Sequence, residues 1–411
     1  MPDKPLQGHT ATKTIITGRD IVVVGIQPWY YELGSNCKNI ARQLSLHNRV
    51  LYVNIPVSRK TYFSKNKNQG LQRHCDIIRQ KKERIYSISK NLWEFYPTRL
   101  IEPANSIPST ALFRIINKAN NRRYAKDISE AIAQMGFKDI ILFNDNDFYT
   151  GYHLKQLLSP KTYVYYMRDF LQGNPYWKKH SSAMEPELIG SSDLVVTNSV
   201  YYNDYCLQYN PHSFYIGQGC NIEFFNNDIP HPAAEGMDHI SSPVIGYVGA
   251  VDSGRLDLQI IDVIAKANPK WQVVMVGPED DTFKKSNLHG RDNIHFLGRK
   301  DIKQLPGYIQ AFDVCINPQS LNQLTQGNYP LKIDEYLAMG KAVVATRTKT
   351  MELFKAYTYL ADAPEEYPAL IAQALQEDSA ERKAARIAFA RTHTWENSTG
   401  DLYAAIRQHS A

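Results

Sequence analysis

The chain has 411 residues, 43% hydrophobic and 21% charged, which is enough for two domains with buried cores and excludes wholesale disorder. No apolar run approaches the roughly 18 residues of a membrane span, and the polar N-terminal segment lacks a signal-peptide core. The five cysteines are scattered, with neither disulfide-framework nor metal-ligand spacing. These features predict a soluble cytoplasmic protein.

The net charge of +6 is distributed unevenly along the chain. Up to Phe225 there are 28 Lys+Arg and 18 Asp+Glu, giving +10, whereas the remainder has 19 and 23, giving −4. The basic first half is either an ordinary solvated surface or one attracted to an anionic membrane face or an anionic acceptor. Nucleic acid is not expected as a partner, because no known binding motif accompanies the charge.

The first half begins with the apolar strand "DIVVVGI" (20–26), a helical pattern over 35–46 and a second strand, "RVLYVNI". Further strands are predicted at "DIILFND", "TYVYYM" and "DLVVTNS". Apolar strands that alternate with helical periods predict parallel βαβ units. Residues 1–225 are therefore predicted to form a Rossmann-like, doubly wound domain.

A stretch without hydrophobic period, "NNDIPHPAAEGMDHISSP" (226–243), predicts a linker between domains. The alternation then restarts at "VIGYVGA" and continues through "WQVVMVGP", "NIHFLGR", "FDVCINP" and "AVVAT", which predicts a second Rossmann-like domain over 244–380. Residues 381–411 are predicted to form a helical segment that crosses back to the first domain. The predicted fold is α/β, with two doubly wound domains facing across a cleft.

Ligands of doubly wound sheets bind beyond the carboxyl ends of the strands, so the loops after the strands are the first place to look for a site. The loop after "VIGYVGA" contains Gly249 and Arg255. Glycine lets a backbone approach a phosphate closely, and arginine adds a charged fork of donors. The alternative is a glycine turn with a surface arginine.

A second candidate lies in "GNYPLKIDEYLAMGKAVVAT" (327–346). Pro330 suits the first turn of a helix, and Gly340 suits the position just past its end. Lys332 and Glu335 share a face near the positive end of that helix, where the glutamate offers two acceptor oxygens to paired ribose hydroxyls. The alternative is an ordinary surface Lys–Glu pair.

"PLKIDEYLAMGKAVVAT" resembles the nucleotide-sugar signature of GT-B glycosyltransferases of the retaining family 4 type, and "YVGAVDSGRLD" resembles their phosphate loop. The resemblance implies that Glu335 holds the ribose and that Arg255 and Lys332 neutralise the departing diphosphate. It also implies further substrate-binding positions at Gly34, Gly249, Arg299, Asn317, Pro330 and Leu331, with Arg299 and Asn317 near the base.

Two positions depart from the family pattern. Gly327 stands where many members have a glutamate that contacts the transferred sugar, and Ile260 stands where many have a lysine. The contacts to the sugar are therefore left open, and Lys332 is the candidate for the second cation.

The residues on the acceptor side are less constrained by the sequence. Asp169, after "YVYYM", is the catalytic candidate there, and Arg168 beside it could bind an anionic acceptor. "NDNDF" is a near match to a metal-binding DxD, but no metal and no cofactor is expected. Trp29, Tyr30 and Tyr31 could stack on a sugar or line an acceptor channel, with surface or core packing as the alternative. His153 and His180 are candidate bases or else solvated side chains, and Glu185 and Glu187 are candidate acids or else surface charges.

We therefore predict a metal-independent, retaining glycosyltransferase that moves a sugar from a UDP- or GDP-sugar to a glycan or lipid-linked acceptor in cell-surface polysaccharide synthesis. Peripheral contact with the inner face of the membrane is left open. The alternatives are a degenerate scaffold that binds nucleotide without transfer and a metal-independent nucleotide-sugar epimerase. A nicotinamide-dependent dehydrogenase is disfavoured, because no G-x-G-x-x-G follows the first strand.

Overall fold

The structure is a computed structural model that describes residues 15–31 and 34–410. Within these residues the strands form one sheet of eight strands and a second sheet of six. The first sheet contains β1 (Asp20–Gly25), β2 (Arg49–Val53), β3 (Ile85–Ser89), β4 (Leu92–Phe95), β5 (Ile141–Asp145), β6 (Thr162–Met167), β7 (Leu194–Thr197) and β8 (Ser213–Tyr215). The second contains β9 (Val244–Val248), β10 (Gln272–Val276), β11 (Ile294–Gly298), β12 (Val314–Asn317), β13 (Ala342–Thr346) and β14 (Tyr359–Ala361).

Helices connect most of the strands, as parallel pairing requires. Those of the first half are α1 (Asn36–Ser45), α2 (Arg59–Phe63), α3 (Gln69–Gln80), α4 (Thr110–Met135), α5 (Leu154–Leu158), α6 (Pro175–Ser191) and α7 (Val200–Leu207). Those that follow are α8 (Leu258–Ala267), α9 (Asp281–Lys284), α10 (Leu305–Ala311), α11 (Lys332–Ala338), α12 (Tyr367–Glu377), α13 (Ala380–Ala390) and α14 (Trp395–Ser410). Short 3₁₀ turns occupy Leu171–Gly173, Asn287–Gly290, Ile302–Gln304, Met351–Phe354 and Pro364–Glu366.

The first sheet has the strand order β3-β4-β2-β1-β5-β6-β7-β8, with β1 at its centre. All its neighbouring strands are parallel except β3 and β4, which form an antiparallel pair at one edge. The five strands predicted in this half are present, and the helix predicted over 35–46 is α1. Sequence reasoning did not find β3, β4 and β8, which are short and lie toward the edges of the sheet.

The second sheet has the order β11-β10-β9-β12-β13-β14 and is parallel throughout. β9 lies between β10 and β12, so the loops that follow these three strands meet at one edge. The predicted strands of this half are present, and β14 is additional. No named helix or strand lies between β8 and β9, where the linker was predicted.

Burial on both faces explains the apolar strands. Every residue of β1, β6, β9 and β13 is buried, as expected for parallel strands covered by helices on both sides. Side-chain caps begin many of the helices: for example, Ser35 accepts a hydrogen bond from the backbone N–H of Lys38 at the start of α1. The two-turn helix α11 begins without a side-chain cap.

The chain returns to the first sheet at its end. α13 packs on α11, and the buried Arg386 of α13 donates to the carbonyl of Gly340 at 3.0 Å. The chain then passes to α14, which packs against α1 and β7 and places Trp395, Leu402 and Ile406 in the core of the first half. Among residues 15–31 and 34–410, no helix is both long and apolar enough to cross a membrane.

Candidate functional site

α11 places Glu335 beside Lys332 at the edge of the second sheet. Glu335 is half-buried, and no residue that the structure describes donates a hydrogen bond to its carboxylate. Burial raises the pKa of Glu335 to about 7, with the positive charge of Lys332 opposing the shift and the negative charge of Asp334 adding to it. A half-buried carboxylate without protein donors still has acceptor oxygens that a ligand could use.

Lys332 lies over the loop that follows β9. Its Nζ is 4.9 Å from the ring centroid of Tyr247, and its Cε would be 3.2 Å from a Cβ at Gly249. Gly249 has φ 145°, and Gly277 after β10 has φ 153°, both conformations that favour glycine. A Cβ at Gly277 would lie 1.7 Å from the carbonyl oxygen of Gly249, so the two loops pack backbone against backbone. The result is bare backbone directly beneath a cation.

Arg255 is exposed on the same loop, and no acidic side chain in the described part of the chain pairs with it. Its backbone carbonyl accepts from the N–H of Ser320 at 2.9 Å, which ties this loop to the segment after β12. Burial, and then the charge of Asp169, raise the pKa of Tyr202 on α7, while the charge of Arg255 lowers it. Arg255 of the second half and Asp169 of the first therefore act on one buried hydroxyl.

Asp169 belongs to a closed charge network after β6. Arg168 binds the buried Asp145 through two nitrogens, at 2.8 and 3.2 Å, and also contacts the carboxylate of Asp169. The side-chain oxygen of Asn146 accepts from the backbone N–H groups of Arg168 and Asp169 at 2.8 and 3.0 Å. Arg168 is thus held by two carboxylates, which would compete with an anionic acceptor for its guanidinium group.

The near match to a metal motif is part of the turn after β5. Asp147 is buried and accepts from the backbone N–H groups of Tyr149 and Thr150 at 3.1 and 2.8 Å and from the Thr150 hydroxyl. Within the described residues there is no group of three or more His, Cys, Asp or Glu side chains that could hold a metal ion. The DxD-like pair is accounted for by turn and core contacts.

Two of the lesser candidates are not surface groups. Glu185 is fully buried on α6, where it accepts from the Tyr165 hydroxyl at 2.8 Å and from Gln172 at 2.7 Å, and burial raises its pKa to about 7. His180 is also buried, stacked on Phe113 with ring centroids 4.1 Å apart. The alternative of a solvated surface group is therefore wrong for both side chains.

Glu187 and His153 are the other candidates on this side. Glu187 is exposed and pairs with Arg114 at 2.8 Å, as a surface charge would. His153 is half-buried, and its backbone N–H donates to Asn121 at 2.8 Å. Burial, helped by nearby cations, lowers the pKa of His153. Neither contact connects these residues to Asp169.

The remaining predicted positions are spread along both halves. Asn317, at the end of β12, is 2% exposed, and its side-chain nitrogen has no partner among the described residues. Arg299 is exposed just past the edge strand β11, while Pro330 is buried and Leu331 half-buried immediately before α11. Gly34 is exposed before α1 and lines a cavity of about 440 Å³ with Trp29, Tyr30, Tyr31, Lys38 and Glu94.

Sequence reasoning missed the contact that explains Gly327. A Cβ at this position would lie 2.4 Å from ring carbons of both Tyr201 and Tyr202, which belong to α7 of the first half. Next to it, Thr350 lies 2.9 Å from Ser199 and donates to the carbonyl of Gly327 at 3.3 Å. The two halves meet here, and glycine is the residue that fits.

The second departure, Ile260, has an equally local explanation. Its side chain is buried in the hydrophobic core beneath α8, together with Ile264 and Leu256. A lysine there would have to lose its hydration or reach out past the helix. The described site therefore has Arg255 and Lys332 as its cations in this region.

Comparison with known proteins finds a family match in the second half. Residues 242–377 match the family model described as "Glycosyl transferases group 1". A protein of Bacillus subtilis (strain 168), named "Putative teichuronic acid biosynthesis glycosyltransferase TuaH", is 28% identical over 206 residues, covering 47% of this chain and 51% of that protein. The match thus spans about half the length of this curated relative.

Solved structures are similar over nearly the whole chain. A sucrose-phosphate synthase from Thermosynechococcus elongatus gives a TM-score of 0.66 at 13% identity, covering 95% of this chain and 98% of that chain. The HepE protein of Anabaena, in complex with UDP and glucose, gives 0.62 at 15% identity, covering 95% and 99%. At such identities the likeness shows the fold alone, and it confirms the prediction of a GT-B fold.

Proposed function

We propose that this chain, whose residues 242–377 match the model of the group 1 glycosyl transferases, moves a sugar from a nucleotide-diphosphate sugar to a glycan or lipid-linked acceptor. The curated relative belongs by name to teichuronic acid biosynthesis, which supports a role in cell-surface polysaccharide synthesis at the cytoplasmic side of the membrane. In this proposal residues 244–380 hold the donor and residues 1–225 face the acceptor. Residues 226–243 and 381–411 connect the two.

The observation that carries the proposal is the unpartnered Glu335 beside Lys332. A pair of adjacent ribose hydroxyls supplies the two donors that this carboxylate lacks. Lys332, above the bare backbone of Gly249, is placed to bind a diphosphate whose oxygens approach that backbone. Arg255 is the second cation on the diphosphate, and it has no competing acidic partner in the described residues.

In the proposed reaction the bond between the sugar C1 and the diphosphate oxygen breaks, and the acceptor hydroxyl oxygen bonds to C1 on the same face. The acceptor proton passes to the departing diphosphate, so the configuration at C1 is retained. Positive charge develops on the sugar and negative charge on the diphosphate, and fixed cations at Arg255 and Lys332 stabilise the latter. No step in this scheme uses a metal ion.

Asp169 is the acceptor-side residue of the proposal. Its carboxylate is held by Arg168, and its backbone N–H donates to Asn146, so the carboxylate can accept a hydrogen bond from the acceptor hydroxyl and orient it. Substrate contacts are further proposed for Gly34, Arg299, Asn317, Pro330 and Leu331, of which Asn317 has a buried amide nitrogen without a partner.

The first test is a thermal shift of the full chain against UDP, GDP, ADP, CMP and dTDP, each with and without EDTA. A ligand that binds only the folded state raises the unfolding midpoint as its concentration exceeds its dissociation constant. UDP is the first nucleotide to try, since HepE was solved with it. We expect one clear responder that is insensitive to EDTA; no responder would overturn the proposed donor site.

Glu335→Gln is the variant that tests the assignment, and Glu396→Gln, at an exposed position on α14, is its matched control. E335Q should weaken binding of the responding nucleotide about tenfold or more, because a charged acceptor is lost, while E396Q should bind as wild type. Equal affinities in all three proteins would remove Glu335 from the donor site. Binding without transfer to any acceptor would favour the degenerate scaffold, and an inverted anomeric product would refute retention.

A further inference from the structure

An exposed aromatic and basic surface lies on the first half, away from Glu335. We define the docking segment as residues 58–67, which include α2. α2 buries none of its residues, and Phe63 at its end is 75% exposed, the largest exposed fraction among the large hydrophobic side chains of the described residues. The ring of Tyr62 packs edge-on against Phe63, with centroids 5.1 Å apart. An exposed ring and a half-buried ring thus lie side by side at the end of α2.

Cations flank these rings in the sequence, without neutralising acids on the same stretch. No Asp or Glu occurs in the sequence between Glu32 and Asp76, while Lys60, Lys65 and Lys67 all lie in the docking segment. No acidic side chain among the described residues pairs with these three lysines. Arg59 is the exception, since it contacts Glu102 at 2.7 Å, and Glu102 is shared with Arg123.

The inner side of the docking segment forms one wall of a cavity. This cavity has a volume of about 690 Å³ and lies past the carboxyl ends of β1, β2 and β5. Lys60, Thr61 and Ser64 line it from the segment. Its opposite wall is largely apolar and is formed by residues that include Phe113, Tyr149 and Trp177.

We propose that the docking segment binds an anionic phospholipid bilayer surface. Phe63 and Tyr62 enter the interfacial layer, and Lys60, Lys65 and Lys67 contact the lipid headgroups. An aromatic pair flanked in sequence by lysines suits a surface with negative headgroups above an apolar layer. A soluble polyanion lacks the apolar layer, and a purely apolar partner lacks the negative charge. The mouth of the cavity then opens at the headgroup level; its use by a lipid-linked acceptor rests on the proposed function.

Vesicle co-sedimentation of the full chain tests the surface without nucleotide or acceptor. The vesicles are phosphatidylcholine alone, or with about a third phosphatidylglycerol, in about 0.15 M salt. Wild type should bind the anionic vesicles at least about tenfold more tightly. Lys60→Ser with Lys65→Ser should lower binding about 25-fold, near fivefold per lysine, and Phe63→Ser about tenfold.

Matched controls come from the second half. Ile302→Ser removes a side chain that is 57% exposed, and Lys284→Ser with Lys285→Ser removes two exposed lysines. Both should bind vesicles within about twofold of wild type, since neither lies on the docking segment. The thermal midpoint of every variant should stay within about 2 °C of wild type, because only exposed side chains are changed.

Several outcomes would overturn the proposal. These are equal binding to both vesicle types, wild-type binding by F63S and K60S/K65S, or an equal loss in the controls. Binding could also be abolished by about 0.5 M salt and unchanged in F63S. That result would mean that the lysines are attracted to the anionic vesicle surface without insertion of the aromatic rings. E335Q should bind vesicles as wild type does, so failure of the donor site and failure of the docking segment can be told apart.

Discussion

After β6 in the first sheet, Arg168 lies between the carboxylates of Asp145 and Asp169, whereas at the edge of the second sheet Lys332 and Glu335 lie side by side without forming an ion pair. The same contrast holds for two glutamates whose pKa values burial raises to about 7. Glu185 has two internal donors, and Glu335 has none among the described residues. A raised pKa therefore does not by itself mark a site. What separates the two regions is whether the protein supplies the partners.

The largest effect on stability should come from removing Arg168 from its ion pairs with Asp145 and Asp169. Arg168→Met keeps much of the side-chain volume but leaves Asp145 buried without its cation. This should lower the free energy of unfolding by about 3–5 kcal/mol, measured by urea denaturation at neutral pH. Arg168→Met combined with Asp145→Asn should recover part of that loss, and a stable single variant would contradict the structural role.

Arg255→Ala should affect ligand binding and not stability. Removing an unpaired, exposed arginine should change the unfolding free energy by less than about 0.5 kcal/mol. Affinity for the responding nucleoside diphosphate should fall about 10- to 100-fold, since a charge-assisted contact to phosphate is lost, with little change for the nucleoside alone. Lys303→Ala, an exposed cation elsewhere in the second half, is the control. Unchanged affinity of R255A for the diphosphate would mean that Arg255 does not contact the donor.

Gly327→Ala tests the contact between the halves. The added methyl would lie 2.4 Å from the rings of Tyr201 and Tyr202, and overpacking of this kind costs about 1–3 kcal/mol. A lower unfolding midpoint by calorimetry is expected. Gly290→Ala is the matched control, because nothing lies within 4 Å of a Cβ there and its backbone is not left-handed. Equal midpoints for the two variants would mean that the tyrosines do not fill this space.

The smallest expected effect is a pH dependence of nucleotide affinity. A carboxyl group whose pKa in the folded protein is about 7 is protonated below that pH and then accepts ribose hydroxyls poorly. Affinity should therefore fall as the pH drops through 7, about three- to tenfold between pH 7.5 and 6. The affinities of wild type and E335Q are measured by calorimetry at each pH. The nucleotide phosphate titrates equally in both series, so the difference between them isolates Glu335. Parallel profiles for the two proteins would contradict the assignment.

Much of the fold follows from local sequence. Runs such as "IVVVG" and "VIGYV" are buried strands because β-branched and aromatic residues are covered on both faces. The strand β3 was not predicted because "IYSIS" is half-polar and only partly buried, and β4 because "LWEF" has only four residues. The proximity of Lys332 and Glu335 could also be predicted, because residues three apart share one face of a helix.

Contacts between distant segments could not be read in this way. Glu185 looks like a surface residue because α6 contains Pro186 and mixed polarity, and its partner Tyr165 is on a strand 20 residues earlier. The packing of Gly327 on α7 joins residues more than 120 positions apart. In each case the sequence shows the residue type but not the neighbour that determines its environment.

The return of the chain in α14 means that the two halves are joined twice. The outgoing and returning segments lie next to each other, with the N–H of Cys220 donating to the carbonyl of His393 at 2.9 Å and with Gly219 packed against Trp395. Two adjacent connections joined by a hydrogen bond can flex together but resist twisting of one half against the other. We therefore expect any relative motion of the halves to be a hinge rotation about one axis, which would bring Arg255 and Asp169 together or apart along a single path.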